Sequence, residues 1–307
     1  MRILITGGAG LIGSHLIAYH LAKGDKVWAI DDLSATDSLD NVRPFLCEDR
    51  FEFFEEDILI WPFLERIITQ SDRIYHMAAV CGVTRVLVEP IKTLIDNFHG
   101  VERILKAISF SQQLTIASTS EVYAMKSELE FNCMRWNYAL SKLAADGLAL
   151  AFVREFGFNI ISGRIFSTIG SGQDAERAVV PRFIQQAIKG DPITVYGNGQ
   201  QTRCFCDVRD TVRALDMLAG NKKCQGEMFN IGNDCEISIR DLAFMIKRLT
   251  GSKSPIIYIP YEKAYVEGFE EKQENRPDLN KLFEFIGFEH EWRLEDTLQQ
   301  LIEGELN

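Results

Sequence analysis

The sequence predicts an α/β protein in which a doubly wound parallel sheet is joined to a smaller α/β lobe formed mainly by the C-terminal part of the chain. Two observations lead to this fold. Short apolar runs suited to buried parallel strands alternate with stretches of helical spacing between residues 2 and 166. The first run is followed by a glycine-rich turn and a helix. Alternation of this kind produces right-handed crossovers, with helices on both faces of the sheet.

The expected strands of the first part are all short. They lie at residues 2–6, 26–30, 51–54, 73–79, 114–120 and 159–166. After residue 166 the alternation becomes less regular, although a helix over 239–250 with Ser238 as its cap is clear. Because ligands of open parallel sheets bind at the carboxyl ends of the strands, the residues that follow each strand are the candidates for function.

Composition and charge exclude several classes of protein. The chain of 307 residues has a net charge of −11, and residues 261–307 contribute 13 acidic and 5 basic residues. A chain this acidic is a poor general binder of nucleic acid. No apolar run approaches the ~20 residues of a membrane span, and the N-terminus enters a strand with no cleavable signal. We therefore expect a cytoplasmic protein. The seven cysteines and five histidines show no metal-ligand spacing, and we expect no metal.

The turn after the first strand is suited to a dinucleotide. Gly7 permits a tight turn, Gly10 allows a pyrophosphate to approach the backbone, and Gly13 allows the helix to lie close to the strand. The free N–H groups of the first helical turn, which contains Leu11 and Ile12, then face the phosphates. The strand before the turn and the helix after it make the pattern more specific than a lone glycine motif.

Residues at the ends of the next strands complete the predicted dinucleotide site. Asp31 and Asp32 end the second strand, where a carboxylate can accept hydrogen bonds from the adenosine ribose. Two acids there would repel a 2′-phosphate, which favours NAD over NADP. Asp57 follows the third strand and is placed to face the adenine. Small residues including Ala78 end the fourth strand, and the helix after it contains Asn97.

A helix expected over residues 138–154 carries a pair of residues suited to proton transfer. Tyr138 and Lys142 are four residues apart and share one helical face. The lysine charge favours phenolate, so we expect the pKa of Tyr138 to fall from about 10 towards the working pH. A fall of roughly 3 pH units needs about 4 kcal/mol, which one lysine rarely supplies. An oxidised nicotinamide ring would add a second cation.

These motifs, in this order, resemble one family. They occupy residues 6–13, 31–34, 76–79, 118–123, 138–142, 180–183, 195–203 and 230–232. The chain resembles, over essentially its whole length, the extended short-chain dehydrogenases/reductases that act as nucleotide-sugar epimerases, dehydratases and decarboxylases. The resemblance implies NAD as cofactor and a nucleotide sugar, with uridine as the expected base, as substrate. It implies an NAD-binding Rossmann domain over 1–166, with 203–232 returning to it, and a nucleotide-sugar lobe formed by 167–202 and 233–307.

The family pattern implies roles for individual residues. Tyr138 would be the base, Lys142 its partner and a ligand of the nicotinamide ribose, and Thr119 a bridge between Tyr138 and the sugar hydroxyl. The implied cofactor contacts are Gly7, Gly10, Leu11, Ile12, Gly13, Asp31, Asp32, Asp57, Ile58, Ala78, Asn97, Tyr138 and Lys142. The implied substrate contacts are Ser120, Val180, Tyr196, Arg203 and Arg276, with Arg203 on the diphosphate.

Glu121 bears on which reaction is catalysed. In the chemistry implied by the family, Tyr138 takes the proton of the sugar 4-hydroxyl and the C4 hydride passes to NAD+. The 4-keto sugar is then reduced on its other face, loses a C5 carboxylate, or loses water. The sequence Thr119-Ser120-Glu121 resembles UDP-glucuronate decarboxylases and some 4,6-dehydratases. We therefore favour decarboxylation or dehydration. The alternative is 4-epimerisation, and a non-catalytic dinucleotide-binding regulator is a remote one.

Some positions depart from the family pattern and leave the sugar open. Decarboxylases carry an arginine two residues before the Pro-Asp pair near the end of the chain, where this chain has Asn275, and Arg276 comes one residue late. Without a substitute, the substrate carboxylate loses a hydrogen bond worth about 1.5–3 kcal/mol. Ser120 replaces the Asp of typical dTDP-glucose 4,6-dehydratases. Cys81 and Cys133 fall near the site in sequence, but we favour their interpretation as buried core residues.

The resemblance also implies a homodimer. Members of the family often dimerise through a four-helix bundle made of the helix after residue 90 and the helix that carries the tyrosine. The outer face of the second helix offers Leu143, Leu150 and Val153, although burial against the sheet explains these residues equally well.

Overall fold

The structure, a computed structural model, describes residues 1–35, 38–125, 136–265 and 275–306. The strands are β1 Arg2–Thr6, β2 Lys26–Asp31, β3 Phe51–Glu55, β4 Arg73–His76, β5 Gln113–Thr119, β6 Asn159–Ile165, β7 Thr168–Ile169, β8 Ile193–Tyr196, β9 Thr202–Cys204, β10 Cys206–Asp207, β11 Met228–Ile231, β12 Glu236–Ser238 and β13 Ile256–Ile259. The helices are α1 Leu11–Ala22, α2 Leu64–Gln70, α3 Val83–Val88, α4 Pro90–Ala107, α5 Asn137–Phe156, α6 Val179–Lys189, α7 Val208–Gly220, α8 Ile239–Leu249, α9 Tyr261–Ala264, α10 Asn280–Ile286 and α11 Leu294–Leu306.

Seven strands form one parallel sheet in the order β3-β2-β1-β4-β5-β6-β11. Successive side chains of a strand point to opposite faces, so the apolar β1 serves two cores. Ile3 and Ile5 pack with residues of α1 and α7, whereas Leu4 packs with residues of α2, α4 and α5. Helices therefore cover both faces, and the predicted doubly wound parallel sheet is confirmed. The order reverses between β1 and β4, where ligands of such sheets bind.

A third core belongs to the C-terminal part of the chain. It joins apolar side chains of α6, α8 and α11 with Ile193 and Val195 of β8. Three small two-stranded sheets accompany it, pairing β7 with β10, β8 with β13 and β9 with β12. β11 nevertheless lies beside β6 at the edge of the large sheet, so the chain returns to that sheet late in its course.

Several local predictions are confirmed, and others shift. The Ser238 hydroxyl accepts a hydrogen bond from the Asp241 N–H at the start of α8, as expected of a cap. The helix expected from residue 90 ends at Ala107, and the short α3 precedes it. Pro90 separates the two because a residue before proline avoids the helical conformation, and Glu89 is non-helical. None of the helices in the described ranges is long and apolar enough to cross a membrane.

Candidate active site

A cleft of about 400 Å³ opens at the carboxyl ends of β1, β2, β4 and β5. Its floor is the glycine turn. Gly7 has φ of +73°, and a Cβ there would lie 2.6 Å from the Ala78 nitrogen. A Cβ on Gly13 would lie 2.0 Å from the Gly7 carbonyl oxygen, so a larger residue would push α1 away from the turn. Both glycines are therefore required by close backbone approach.

The start of α1 fits a pyrophosphate. Gly10 is the N-cap residue, and no side chain in the described part of the chain caps this helix end. The first N–H groups of a helix lack intrahelical acceptors, and those near Leu11 and Ile12 line the cleft. An anion placed there is held by backbone donors and by the helix dipole. The glycine turn and the open helix end together fit the dinucleotide that the sequence predicted.

Asp31, the predicted ribose contact, lines the cleft at the end of β2. Its carboxylate accepts hydrogen bonds from the Ala9 N–H at 3.0 Å and the Leu33 N–H at 2.8 Å. Burial, aided by the neighbouring charge of Asp32, raises the pKa of Asp31. Hydroxyl donors of a ribose would favour the ionised form in the bound state. Asp32 also lines the cleft, and it accepts a hydrogen bond from the Ser34 N–H.

Asp57 and Ile58, the predicted adenine contacts, line one end of the cleft. Asp57 is fixed by the Leu59 N–H, which donates to its Oδ1 at 2.8 Å. Lys92 and Asp96 of α4, which form an ion pair, line the same end and were not predicted. They are four residues apart, which is also the spacing of an ordinary surface ion pair on a helix, so the sequence carried no specific signal for them.

Ala78 and Asn97 line the middle of the cleft. The side chain of Asn97 is 3% exposed. Its Oδ1 accepts from the Val80 N–H at 2.7 Å, and its Nδ2 donates to the Val80 oxygen at 3.0 Å and to Ser141 Oγ at 3.1 Å. Asn97 thus fixes the cleft wall after β4 to α5.

Tyr138, Lys142 and Thr119 meet in this cleft. The first two lie in the opening turns of α5, and Thr119 ends β5. Thr119 forms a hydrogen bond with the Tyr138 hydroxyl. Lys142 Nζ lies 5.9 Å from the centre of the Tyr138 ring and donates to the Ala117 oxygen at 2.8 Å. The arrangement can remove a proton from a hydroxyl placed beside Tyr138.

The expected lowering of the Tyr138 pKa is wrong. Burial, with the nearby Cys81 and Glu121, holds the pKa of Tyr138 well above its usual value, and the hydrogen bond from Thr119 only partly opposes this. Burial also lowers the pKa of Lys142 to about 8. Desolvation therefore outweighs the lysine charge. Lys142 alone therefore does not bring Tyr138 to its phenolate form in this cleft.

Cys81 is a cleft residue, which corrects its interpretation as core. It is exposed at the wall of the cleft, close to Tyr138 and Lys142, and the surrounding protein desolvates its thiol enough to raise the thiol pKa. Its place just after the fourth strand was the one sequence signal for this, but the exposure of the side chain depends on how the loop after β4 turns. Cys133 falls outside the described residues.

Glu121 and Ser120 lie just beyond the cleft, in the turn of 3₁₀ helix Ser120–Ala124 that follows β5. Thr119 Oγ1 caps that turn by accepting from the Glu121 N–H. Asn275 is 9% exposed, and its Nδ2 donates to Ser120 Oγ at 3.3 Å. Arg276 is exposed instead, and its charge acts on Cys204 of β9. Asn275, not Arg276, therefore faces the segment that carries Glu121.

The remaining predicted substrate contacts do not line the cofactor cleft. Val180 is 1% exposed in the C-terminal core, so only its backbone is available to a ligand. Tyr196 is covered by Arg182, whose guanidinium carbon lies 4.3 Å from the ring centre. Arg203 is half-buried and donates to the Thr202 oxygen at 2.6 Å. These residues lie in the C-terminal part of the chain and leave the cofactor cleft to the large sheet.

The comparisons with known proteins agree with this geometry. Residues 3–232 match the model of the NAD dependent epimerase/dehydratase family. A UDP-N-acetyl-alpha-D-glucosaminuronate decarboxylase of Bacillus cytotoxicus is 35% identical, covering 98% of this chain and 97% of the relative. UDP-glucuronic acid decarboxylase 1 of Danio rerio is 33% identical, covering 98% of this chain and 72% of the relative.

Solved structures of similar fold also come from NAD-containing nucleotide-sugar enzymes. UDP-glucuronic acid 4-epimerase of Bacillus cereus, in complex with UDP-glucuronic acid and NAD, has a TM-score of 0.87 at 27% identity, covering 100% of both chains. The dTDP-glucose 4,6-dehydratase of Bacillus anthracis in complex with NAD has a TM-score of 0.86 at 26% identity, covering 100% of this chain and 97% of that one. With a cleft that fits a dinucleotide and a family model matching most of its length, this chain is an NAD-dependent enzyme and belongs to the epimerase/dehydratase family.

Proposed function

We propose that the protein oxidises C4 of a nucleotide-linked sugar, with uridine as the expected base. It then acts at C5 by decarboxylation or dehydration. The observation that carries the oxidation step is the meeting of Thr119, Tyr138 and Lys142 in a cleft suited to NAD. Relatives named as decarboxylases of UDP-linked uronic acids support the choice of substrate class.

The residues would divide the work as follows. Gly7, Gly10 and Gly13 with the first turn of α1 would hold the NAD pyrophosphate, and Asp31 the adenosine ribose. NAD+, when bound, supplies the hydride acceptor. Tyr138 would take the proton of the sugar 4-hydroxyl, since its oxygen borders the cleft and is hydrogen bonded to Thr119.

Lys142 would support that proton transfer in two ways. Its ammonium group stabilises negative charge on the phenol oxygen, and it is anchored by the Ala117 carbonyl at 2.8 Å. The fate of the resulting 4-keto sugar would then be decided at Glu121. A ketone at C4 weakens the bond to a C5 carboxylate and acidifies the C5 hydrogen, and a carboxylate beside C5 can handle the proton that either path requires.

A second candidate, 4-epimerisation, is favoured by one observation. The position at which decarboxylases have an arginine is Asn275, whose amide faces Ser120. A neutral amide suits a sugar with an uncharged C5 substituent, whereas a carboxylate would lose a charge-assisted hydrogen bond. Decarboxylation and epimerisation therefore differ in the protein group they require opposite C5: a cation for a carboxylate, or a neutral amide for an uncharged substituent.

Mass spectrometry of the products separates the candidates. The purified enzyme is incubated with NAD+ and, separately, with UDP-glucuronate, UDP-N-acetylglucosaminuronate and UDP-glucose. Loss of carbon dioxide from a uronate supports decarboxylation, and loss of water supports dehydration. A product of unchanged mass but altered sugar configuration overturns both in favour of epimerisation. If no nucleotide sugar is changed while NAD binds, the catalytic proposal fails.

We also propose a homodimer formed through α4 and α5. Ile91 and Ile95 of α4 are 72% and 48% exposed, and Leu143 of α5 is 40% exposed. An exposed apolar surface of this kind is consistent with one that a second subunit covers. Val153, by contrast, packs against the sheet core. Sedimentation that finds only monomer at micromolar concentration would reject the dimer.

A further inference from the structure

A buried carboxylate lies behind the proposed catalytic pair. Asp146 follows Lys142 by one turn of α5, and its side chain is 2% exposed. We propose that Asp146 is a positioning residue, whose negative charge keeps Lys142 protonated and whose hydrogen bonds fix the end of β5 against α5. This inference rests on the proposed function, because it assigns Asp146 to the same proton-transfer site.

The hydrogen bonds of Asp146 join α5 to two neighbouring strands. Its Oδ2 accepts from Ser118 Oγ of β5 at 2.7 Å, and its Oδ1 accepts from Ser162 Oγ of β6 at 2.6 Å. Ser118 lies between Ala117 and Thr119, which are the partners of Lys142 and Tyr138. Asp146 therefore holds the piece of β5 that supplies both hydrogen bonds to the catalytic pair. The same helix carries the carboxylate and the pair, so any slip of β5 against α5 would alter these contacts together.

Cys81 and Asp146 are the two groups whose negative charge would raise the pKa of Lys142. The ionisable groups facing the lysine are His76 of β4, Cys81 of the loop after β4, and Tyr138 and Asp146 of α5. Burial lowers the pKa of His76 to about 3 and raises those of Cys81 and Tyr138, so these three are neutral near pH 7. The carboxylate is left to balance the buried ammonium group.

A second cation, Arg164, lies on the side of Asp146 away from Lys142, and its charge makes the protonation of Lys142 more sensitive to the Asp146 carboxylate. Arg164 Nε of β6 lies 3.7 Å from Asp146 Oδ2. If Asp146 loses its charge, Lys142 loses an attractive partner and the field of Arg164 is no longer offset. Both changes disfavour the protonated lysine. Because burial already lowers the pKa of Lys142 to about 8, a further fall would bring the loss of its charge closer to pH 7.

The direct test is an NMR titration of Lys142 in protein labelled with ¹³C-lysine. The signal is assigned by its absence in Lys142→Met, and the charge is removed with the isosteric Asp146→Asn. We expect the titration midpoint of Lys142 to fall by about one pH unit or more. A midpoint equal to that of the wild type overturns the inference. If Asp146→Asn does not fold, Asp146→Ser offers another neutral side chain able to bond with the two serines.

Two further variants separate charge from simple packing. Asp146→Glu retains the carboxylate, and we expect it to restore the midpoint at least partly. Ser162→Ala removes one hydrogen bond but leaves the charge, and we expect the midpoint of Lys142 to stay within a few tenths of the wild type. An equal fall in Ser162→Ala and Asp146→Asn would assign the effect to packing and overturn the proposal.

The pH profile of turnover gives the functional readout. In Asp146→Asn we expect the alkaline limb of kcat to move to lower pH with the NMR midpoint, while KM changes little, because the lysine acts on the proton transfer. An unmoved limb overturns the catalytic part of the inference. The NMR titration needs no turnover. Failure to find a substrate therefore bears on the proposed function, and an unchanged NMR midpoint bears on Asp146.

Discussion

The two sides of the candidate active site differ in which groups form them: backbone on the side that fits the cofactor, and side chains on the side expected to face the sugar. On the cofactor side, backbone geometry dominates: a glycine turn, an open helix end and strand ends that present small residues. On the side expected to face the sugar, side chains dominate, with Glu121 and Ser120 after β5 and Asn275 more than a hundred residues later. The first arrangement depends on space that a single methyl group would fill, and the second on polar groups that are easily exchanged.

This difference separates what is shared from what is variable. Dinucleotide binding requires backbone N–H groups at a fixed distance, and few residues can satisfy that requirement. The outcome after oxidation depends on which charge lies opposite C5, which one substitution can alter. A relative by sequence is accordingly named as a decarboxylase, and solved structures of similar fold are named as an epimerase and a dehydratase.

The largest effect is expected from Gly13→Ala. The added Cβ would lie 2.0 Å from the Gly7 oxygen, so α1 must move and the phosphate-binding turn with it. We expect NAD binding, followed by calorimetry, to fall below detection and turnover to disappear. Gly304→Ala in α11 is the matched control, because its Cβ would meet nothing within 4 Å. NAD affinity in Gly13→Ala equal to that of the control would contradict the backbone account of this side.

Tyr138→Phe should separate chemistry from cofactor binding. Removal of the phenol oxygen deletes the group that would take the sugar proton, and loss of a general base costs roughly 10²–10⁴-fold in rate. We expect kcat to fall by that amount with NAD affinity nearly unchanged. Tyr123→Phe is the control, since its hydroxyl bonds Asn230 and Arg164 and does not line the cleft. Equal activity in both variants would remove Tyr138 from the mechanism.

The cofactor side was largely predictable from sequence, because its residues are close together in the chain. Gly7, Gly13 and Asp31 lie within three adjacent elements, so periodicity and turn chemistry identify them. The pKa of Tyr138 was not predictable, since it depends on desolvation by the folded cleft. The Asn275–Ser120 contact joins residues 155 apart, and its geometry follows from tertiary structure alone.

Lys142→Met should raise the stability of the protein and lower its turnover. Burial lowers the pKa of Lys142 from 10.5 to about 8, which corresponds to about 3 kcal/mol of destabilisation while the lysine is protonated. Between these values the unfolded chain binds more protons, so wild-type stability rises with pH. We expect Lys142→Met to be more stable than the wild type near pH 7 and the difference to shrink by about pH 10.

Urea unfolding at several pH values measures that difference. Turnover of Lys142→Met should be strongly reduced throughout, since no ammonium group supports the phenolate. A stability difference that stays constant from about pH 7 to about pH 10 would show that burial of the protonated Lys142 does not destabilise the folded protein.

The smallest effect, and the one that addresses the sugar side, is expected from Asn275→Arg. The new guanidinium would face Ser120 in place of the amide, where a substrate carboxylate could pair with it. We expect KM for UDP-glucuronate to fall by about tenfold, at the lower end of charge-assisted bonds because a 9% exposed position must accommodate a larger side chain. KM for UDP-glucose should not fall. Arg276→Gln is the comparison variant. If Arg276→Gln weakens uronate binding and Asn275→Arg does not improve it, the exposed Arg276 holds the carboxylate and the neutral amide does not define the sugar.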